Sequence, residues 1–127
     1  MEQKKKSKIF IVDDEADFCY FVKKQFDLHD EFEVVTCSDS EHALEMATDM
    51  KPDLILLDIM MPGKDGFAVL RELRAAEHTY KTPVIMLTAK GDSSSLFEGE
   101  KYRATDYFIK PFEMKDLLKY IKKYLEQ

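Results

Sequence analysis

Three short, uninterrupted apolar runs constrain this chain more than anything else in it: Ile9-Phe10-Ile11-Val12, Leu54-Ile55-Leu56-Leu57 and Val84-Ile85-Met86-Leu87. Each is too short for a helix, and none alternates with polar residues. Strands buried on both faces of a parallel sheet read this way. Two more polar stretches, 32–37 and 106–109, suit edge strands, which meet water on one side. Helical periodicity fills the gaps. Phe18, Phe21, Val22 and Phe26 can share one face after the first run. Ala43, Leu44, Ala47 and Met50 do so after the second strand, with Asp39 or Ser40 placed to cap the helix. Phe67, Leu70, Leu73 and Ala76 follow the third strand, and Met114, Leu117, Leu118, Ile121 and Leu125 follow the fifth. Segment 93–101 is the poorest helix, with only Leu96 and Phe97 as apolar anchors and with Gly99 inside it, so it is expected to be the least stable element.

The resulting order is a strand followed by a helix, five times. It predicts an α/β fold with a parallel sheet and helices on both faces, joined by right-handed crossovers. A chain of 127 residues is one domain's worth, and no Ser/Pro-rich stretch divides it. Residues 1–127 are therefore expected to form a single domain with its core at about 8–125.

Composition narrows the function classes. Lys+Arg number 19 against 25 Asp+Glu, a net charge of −6, which argues against nucleic acid as a direct partner. No apolar run approaches a membrane span, and the charged N-terminus is not followed by a signal-peptide core, so a cytoplasmic location is expected. Cys19 and Cys37 lack CxxC spacing and a histidine partner, and read as reduced thiols rather than zinc ligands. The four glycines form no phosphate-binding loop, and His29, His42 and His78 are scattered with no GxSxG around a serine.

Ligands of open α/β sheets bind beyond the C-terminal ends of the strands. The first apolar run is followed by Asp13, Asp14 and Glu15, the second by Asp58, the third by Thr88 and the fifth strand by Lys110. Taken singly, each has an ordinary explanation: an acid at a helix N-terminus, a loop cap, a turn residue, a surface lysine. Together they converge if the strands are neighbours. Two like charges about 4 Å apart repel by roughly 4 kcal/mol at an effective dielectric near 20. Such a cluster must protonate or take a cation. Hard oxygen ligands with room for water suit Mg²⁺. Mg²⁺ among carboxylates, beside a lysine and a threonine, is a phosphoryl-handling arrangement in which one carboxylate would be the covalent acceptor.

Four stretches carry a family resemblance: 9–15 (IFIVDDE), 54–66 (LILLDIMMPGKDG), 83–89 (PVIMLTA) and 106–112 (DYFIKPF). In this order and spacing the chain resembles the receiver domains of two-component response regulators, from about residue 8 to 125. The resemblance implies a flavodoxin-like, doubly wound five-stranded sheet of order 2-1-3-4-5. It implies Asp58 as phosphoacceptor, Asp14 as a direct Mg²⁺ ligand, Asp13 acting partly through water, and Met60 lending a backbone carbonyl to the metal. Thr88 and Lys110 would bond phosphoryl oxygens, Lys110-Pro111 would be a cis peptide, and Tyr107 would be the aromatic switch. It implies a histidine kinase or phosphotransfer domain as donor. It also implies a protein target on the face of the fourth helical segment, fifth strand and last helix, and leaves a phosphorylation-dependent homodimer open. With the motif filling the chain like a stand-alone chemotaxis regulator, output is expected to pass through another protein or a part not included here. Lys115, Lys119, Lys122 and Lys123 on the last helix read as a solvated face or, more sharply, as a dock for an acidic partner.

The pattern departs from the family in places. Arg103-Ala104-Thr105-Asp106 stands where a Gly-Ala-Asp-Asp-like run is usual, which leaves the local turn and the output surface open. Met60 and Lys90 occupy positions that tune dephosphorylation in the family, and Met60 is expected to shield the acyl phosphate from water. Two other readings stand beside the receiver. An aspartate-nucleophile phosphohydrolase would need a DxD signature at the first strand, and this chain has Asp58 at the third strand instead. A phosphorylation-independent interaction module would not need the intact set of acids, threonine and lysine. The receiver reading makes the chain a phosphorylated signalling protein rather than an enzyme, beyond promoting its own phosphorylation and dephosphorylation.

Overall fold

The computed structural model describes residues 5–89 and 102–125. Five parallel strands are present: β1 (Ser7–Val12), β2 (Phe32–Cys37), β3 (Leu54–Asp58), β4 (Val84–Ala89) and β5 (Asp106–Lys110). They lie in the order β2-β1-β3-β4-β5, so β2 and β5 are the edges, as their mixed polarity predicts. Helices α1 (Ala16–Asp27), α2 (Ala43–Met50), α3 (Gly66–Ala75) and α4 (Met114–Leu125) cover both faces. Segment 93–101 lies outside the described residues, as does Lys90.

The continuous apolar runs are explained by alternation between two cores. Phe10, Val12, Ile55, Leu57, Val84 and Met86 face α2 and α3. Ile9, Ile11, Leu54, Leu56, Ile85 and Leu87 face α1 and α4. Register follows from this double burial: Val12 pairs with Leu57, and Asp58 with Leu87. A one-residue slip would exchange the faces of every side chain.

The helices fall where periodicity places them, with one exchange of residues. On α1 the buried positions are Cys19, Val22 and Phe26, while Phe21 is 53% exposed. The small thiol side chain faces the sheet, and the ring predicted to be there points to solvent. Both cysteines are free and buried. Asp39 caps a 3-10 turn, Ser40–His42, that leads into α2, its carboxylate accepting from Glu41 N at 3.1 Å. Asp65 caps α3 by accepting from Ala68 N at 2.9 Å. Among the described residues no helix is long and apolar enough to cross a membrane.

At the N-terminal ends of β4 and β5 the chain is tied by one side chain. The Arg74 guanidinium donates to the carbonyls of Arg103 (3.0 Å), Thr82 (2.7 Å), Tyr80 (3.3 Å) and Thr79 (3.4 Å), and to Thr105 Oγ1 (3.4 Å). Thr105 Oγ1 also accepts from Val84 N at 2.8 Å. Arg103 keeps the backbone turn that a glycine usually makes: its φ is 65°, in the left-handed region. A non-glycine residue there costs about 1 kcal/mol. The Arg103 side chain donates back to the Arg74 carbonyl at 3.4 Å, so the turn is held from both sides.

Candidate functional site

The pairing of β1 with β3 and of β3 with β4 brings three strand ends together. Asp13 follows β1 and is fully buried; Asp58 closes β3 at 7% exposure; Thr88 is near the end of β4 at 5%. Asp14 is exposed beside them. Carboxylate oxygens of Asp13, Asp14 and Asp58 all lie within 4.8 Å of one another. Lys110, at the end of β5, reaches in from the edge. Its Nζ donates to Asp13 Oδ2 at 2.6 Å and stands 3.6 Å from Asp58 Oδ1 and 3.8 Å from Glu15 Oε1. The Lys110-Pro111 peptide is cis, as the resemblance implied.

Local structure fixes each group. Asp13 N donates to the Cys37 carbonyl at 3.0 Å, continuing the β1–β2 ladder one residue further. Its Oδ1 accepts from Glu15 N at 3.0 Å, and its carbonyl accepts from Cys19 Sγ at 3.3 Å. Asp58 is held from behind by Gly66. A Cβ at position 66 would lie 2.2 Å from the Asp58 carbonyl oxygen and 2.8 Å from Ile59 Cα, so only glycine lets α3 start this close to the strand. Gly66 N donates to the Ile59 carbonyl at 2.9 Å. The intervening loop is pinned as well. Ser40 Oγ donates to the Pro62 carbonyl at 3.4 Å, and Lys64 Nζ bonds both Glu72 oxygens at 2.8 and 2.9 Å.

The charges are unbalanced. Burial first, then the neighbouring Asp13 charge, push the Asp58 carboxyl up to about 7; Lys110 works against this, while Asp14 and Glu15 add to it. Burial also opposes the charge on Lys110. The hydrogen bond to Asp13 and the charges of Asp13, Asp58 and Glu15 outweigh it, and the lysine stands above its ordinary value. One ammonium thus serves three acids, the buried Asp13 and Asp58 and the exposed Glu15, and leans toward Asp13. The donor set is all hard oxygen, carries excess negative charge and opens on one side, which fits a divalent cation such as Mg²⁺.

The opening is a cleft of about 340 Å³ lined by Glu15, Asp58, Met60, Thr88, Ala89 and Lys110 among others. The Met60 side chain is 73% exposed at its mouth. Among the described residues Thr88 Oγ1 makes one long bond, 3.4 Å, to the Ala89 carbonyl. Tyr107 lies on β5 two residues before the strand position paired with Thr88, half-buried against the α2–α3 core. A larger groove of about 650 Å³ runs between β5 and α4, lined by Tyr107, Phe108, Ile109, Phe112 and Tyr120. Among the described residues the acids grouped closely enough to share a cation are Asp13, Asp14 and Asp58, not the groove's Glu113 and Asp116, so the chemistry belongs in the smaller cleft. Asp13, Asp14, Asp58, Thr88 and Lys110 are therefore brought together, with Met60 at the rim, while Tyr107 is set back along the strand.

Sequence reasoning missed two supporting residues. Gly66 stood in the quoted motif, but its role depends on how closely the helix approaches the strand. Phe18, assigned only to a helix face, places its ring centroid 4.1 Å from Lys110 Nζ.

The family model for the response regulator receiver domain matches residues 9–122. The chain belongs to this family. Curated relatives of this receiver domain include the phosphate regulon transcriptional regulatory protein PhoB of Pseudomonas aeruginosa, 37% identical over 119 residues, covering 94% of this chain and 52% of that protein. A probable transcriptional regulator, ycf27, of Guillardia theta is 42% identical over 112 residues, covering 88% of this chain and 42% of that protein. The chain thus spans about half the length of such relatives. Among solved structures, the chemotaxis response regulator CheY4 of Vibrio cholerae superposes with a TM-score of 0.87 at 29% identity, covering 94% of this chain and 99% of that one. The BeF3-activated receiver domain of Klebsiella pneumoniae RstA gives 0.85 at 31% identity, covering 95% and 100%. The strand order and these superpositions make the receiver domain's fold flavodoxin-like, as expected.

Proposed function

We propose that this receiver domain is a phosphorylation-controlled switch in a two-component phosphorelay, with Asp58 as the acceptor. The observation that carries the reading is the convergence of Asp13, Asp14 and Asp58 with Lys110 and Thr88 around one cleft. Asp13, Asp14, Asp58 and the Met60 carbonyl would hold Mg²⁺. Bound there, the cation supplies the positive charge that keeps Asp58 ionised near neutral pH and offsets charge on the transferring oxygens.

The donor is a phosphohistidine of a kinase or phosphotransfer domain. An Asp58 carboxylate oxygen forms the new bond to phosphorus, in line with the departing nitrogen. The phosphorus–nitrogen bond breaks and its electron pair stays on the imidazole. Lys110 turns from Asp13 to a phosphoryl oxygen. Thr88 gives up its long bond to Ala89 and donates to another. The phosphoryl group carries about −1.5 to −2 charge, the value for phosphorylated hydroxyl side chains, and replaces the −1 of the free carboxylate. Thr88 moves toward that charge, and the Tyr107 ring turns with it. The face that includes β5 and α4 then changes its affinity for a protein target, or for a second copy of the chain. Residues 1–127 act in this reading as one receiver domain, located in the cytoplasm. Exposed Met60 partly shields the acyl phosphate from water.

The test is intact-mass spectrometry after incubation with acetyl phosphate and Mg²⁺. Wild type is expected to gain one phosphoryl group and Asp58→Ala none. Equal uptake by both proteins would refute Asp58 as acceptor, and no uptake by wild type would favour a phosphorylation-independent module. Equal decay rates for the phosphorylated wild type and Met60→Asn would remove the shielding role.

A further inference from the structure

The proposed switch through Thr88 and Tyr107 runs on the α2–α3 side of the sheet. On the other side, a continuous series of rings starts at the site lysine. Lys110 Nζ stands over Phe18 at 4.1 Å. Phe18 on α1 meets Phe112 edge-to-face, with centroids 5.8 Å apart and planes at 85°. Phe112 meets Phe108 at 5.1 Å and 83°, and Phe108 meets Tyr120 at 5.1 Å and 61°. Tyr120 meets Tyr124 at 5.7 Å and 71°, and the Tyr124 hydroxyl donates to the Asp106 carboxylate. All five rings are partly buried against the α1–α4 core.

We infer that this aromatic ladder couples the position of the Lys110 ammonium to the groove between β5 and α4. The inference rests on phosphorylation of Asp58 as the event that moves Lys110. Before transfer, Nζ is held between Asp13 Oδ2 and the Phe18 ring. A phosphoryl group on Asp58 adds a stronger acceptor on the side where the lysine now makes only a 3.6 Å approach. Nζ moves toward it, and the cation–π attraction to Phe18 weakens with distance. In an edge-to-face series the edge of each ring sits in the face of the next, so one ring cannot tilt without displacing its neighbour. Phe108, Phe112 and Tyr120 line the groove, so the displacement reaches the proposed target surface. The Tyr124–Asp106 bond fixes the far end of the ladder to the start of β5. This gives the site a second output, distinct in residues and in sheet face from the Thr88–Tyr107 switch.

The full chain labelled with 3-fluorotyrosine tests this by fluorine NMR, with resonances assigned through Tyr107→Phe, Tyr120→Phe and Tyr124→Phe. Acetyl phosphate and Mg²⁺ are added and uptake is followed by intact mass. In wild type, modification is expected to shift the Tyr120 and Tyr124 resonances as well as Tyr107. In the modified form of Phe18→Leu, which keeps the side-chain volume close, the Tyr107 shift remains but the Tyr120 and Tyr124 shifts are lost. Phe112→Leu breaks the ladder one ring further from the lysine and gives the same result; it decides the matter if Phe18→Leu does not fold or is not modified. Uptake by wild type with static Tyr120 and Tyr124 overturns the ladder alone, as does survival of their shifts in the modified variants. Absence of uptake by wild type overturns the phosphorylation reading and the ladder with it.

Discussion

Arg74 and Lys110 are the two cations that organise opposite ends of β4 and β5. Arg74, at the N-terminal ends, is surrounded by neutral acceptors: four carbonyls and the Thr105 hydroxyl. Every bond it makes closes a turn. Lys110, at the C-terminal ends, faces acids from three directions and makes one short bond, to Asp13. The first arrangement spreads its charge over many dipoles, against burial and the neighbouring Arg103 charge, which both disfavour it. The second has more negative charge than one ammonium can answer, so a bound cation would lower its free energy. The same strands thus carry a closed end and an open one, and only the open end can respond to chemistry.

Substitutions at each end should separate these roles. The largest effect is expected from Gly66→Ala. The new Cβ must displace the Asp58 carbonyl, costing about 3 kcal/mol of stability and slowing phosphoryl uptake at least about tenfold through misplacement of the acceptor; chemical denaturation and the acetyl phosphate assay report the two. Next comes Arg74→Ala, with a loss of about 2 kcal/mol from charged hydrogen bonds. Its Mg²⁺ affinity, measured by calorimetry, should match wild type. A large change in affinity would show that the closed end is not independent of the open one.

The third prediction concerns pH. Asp58 is raised to about 7 in the folded chain, above its ordinary value. Between the unfolded and folded values the native state holds a proton that the unfolded chain has released. Stability in metal-free buffer should therefore fall as pH rises from about 4 to 7 and level off beyond. Asp58→Asn removes that slope and should be more stable than wild type by about 2 kcal/mol at pH 8. Identical denaturation profiles for the two proteins across this range would contradict the charge imbalance. The smallest effect is expected from Asp14→Asn. The exposed member of the cluster should weaken Mg²⁺ binding about tenfold, roughly 1.4 kcal/mol, with little change in metal-free stability.

How much of this was legible in sequence depends on the range of the interaction. The central strands could be read because double burial demands uninterrupted apolar runs, and the site because polar and charged residues directly after the strands have few other places to go. Asp13, Asp58, Thr88 and Lys110 are all of this kind. The choice of Cys19 over Phe21 for the buried face of α1 was not legible, since both lie near the apolar stripe and only the space left by the sheet decides. The Phe18 ring against Lys110 joins the first helix to the last strand, a contact no local pattern encodes. The Arg74 bonds go to loop carbonyls, which any residue type can present. Arg103 breaks the usual glycine at a left-handed position, and its turn survives because Arg74 binds it on the other side.

The strand order β2-β1-β3-β4-β5 also has a consequence for biosynthesis. The two acids after β1 are made first, and the lysine after β5 is made last. A nascent chain therefore carries the acidic pair long before it has a partner for it, and no intermediate length holds the whole constellation. Only a chain that has been translated through β5 and has zipped its central strands into register holds the acids, the threonine and the lysine at one cleft.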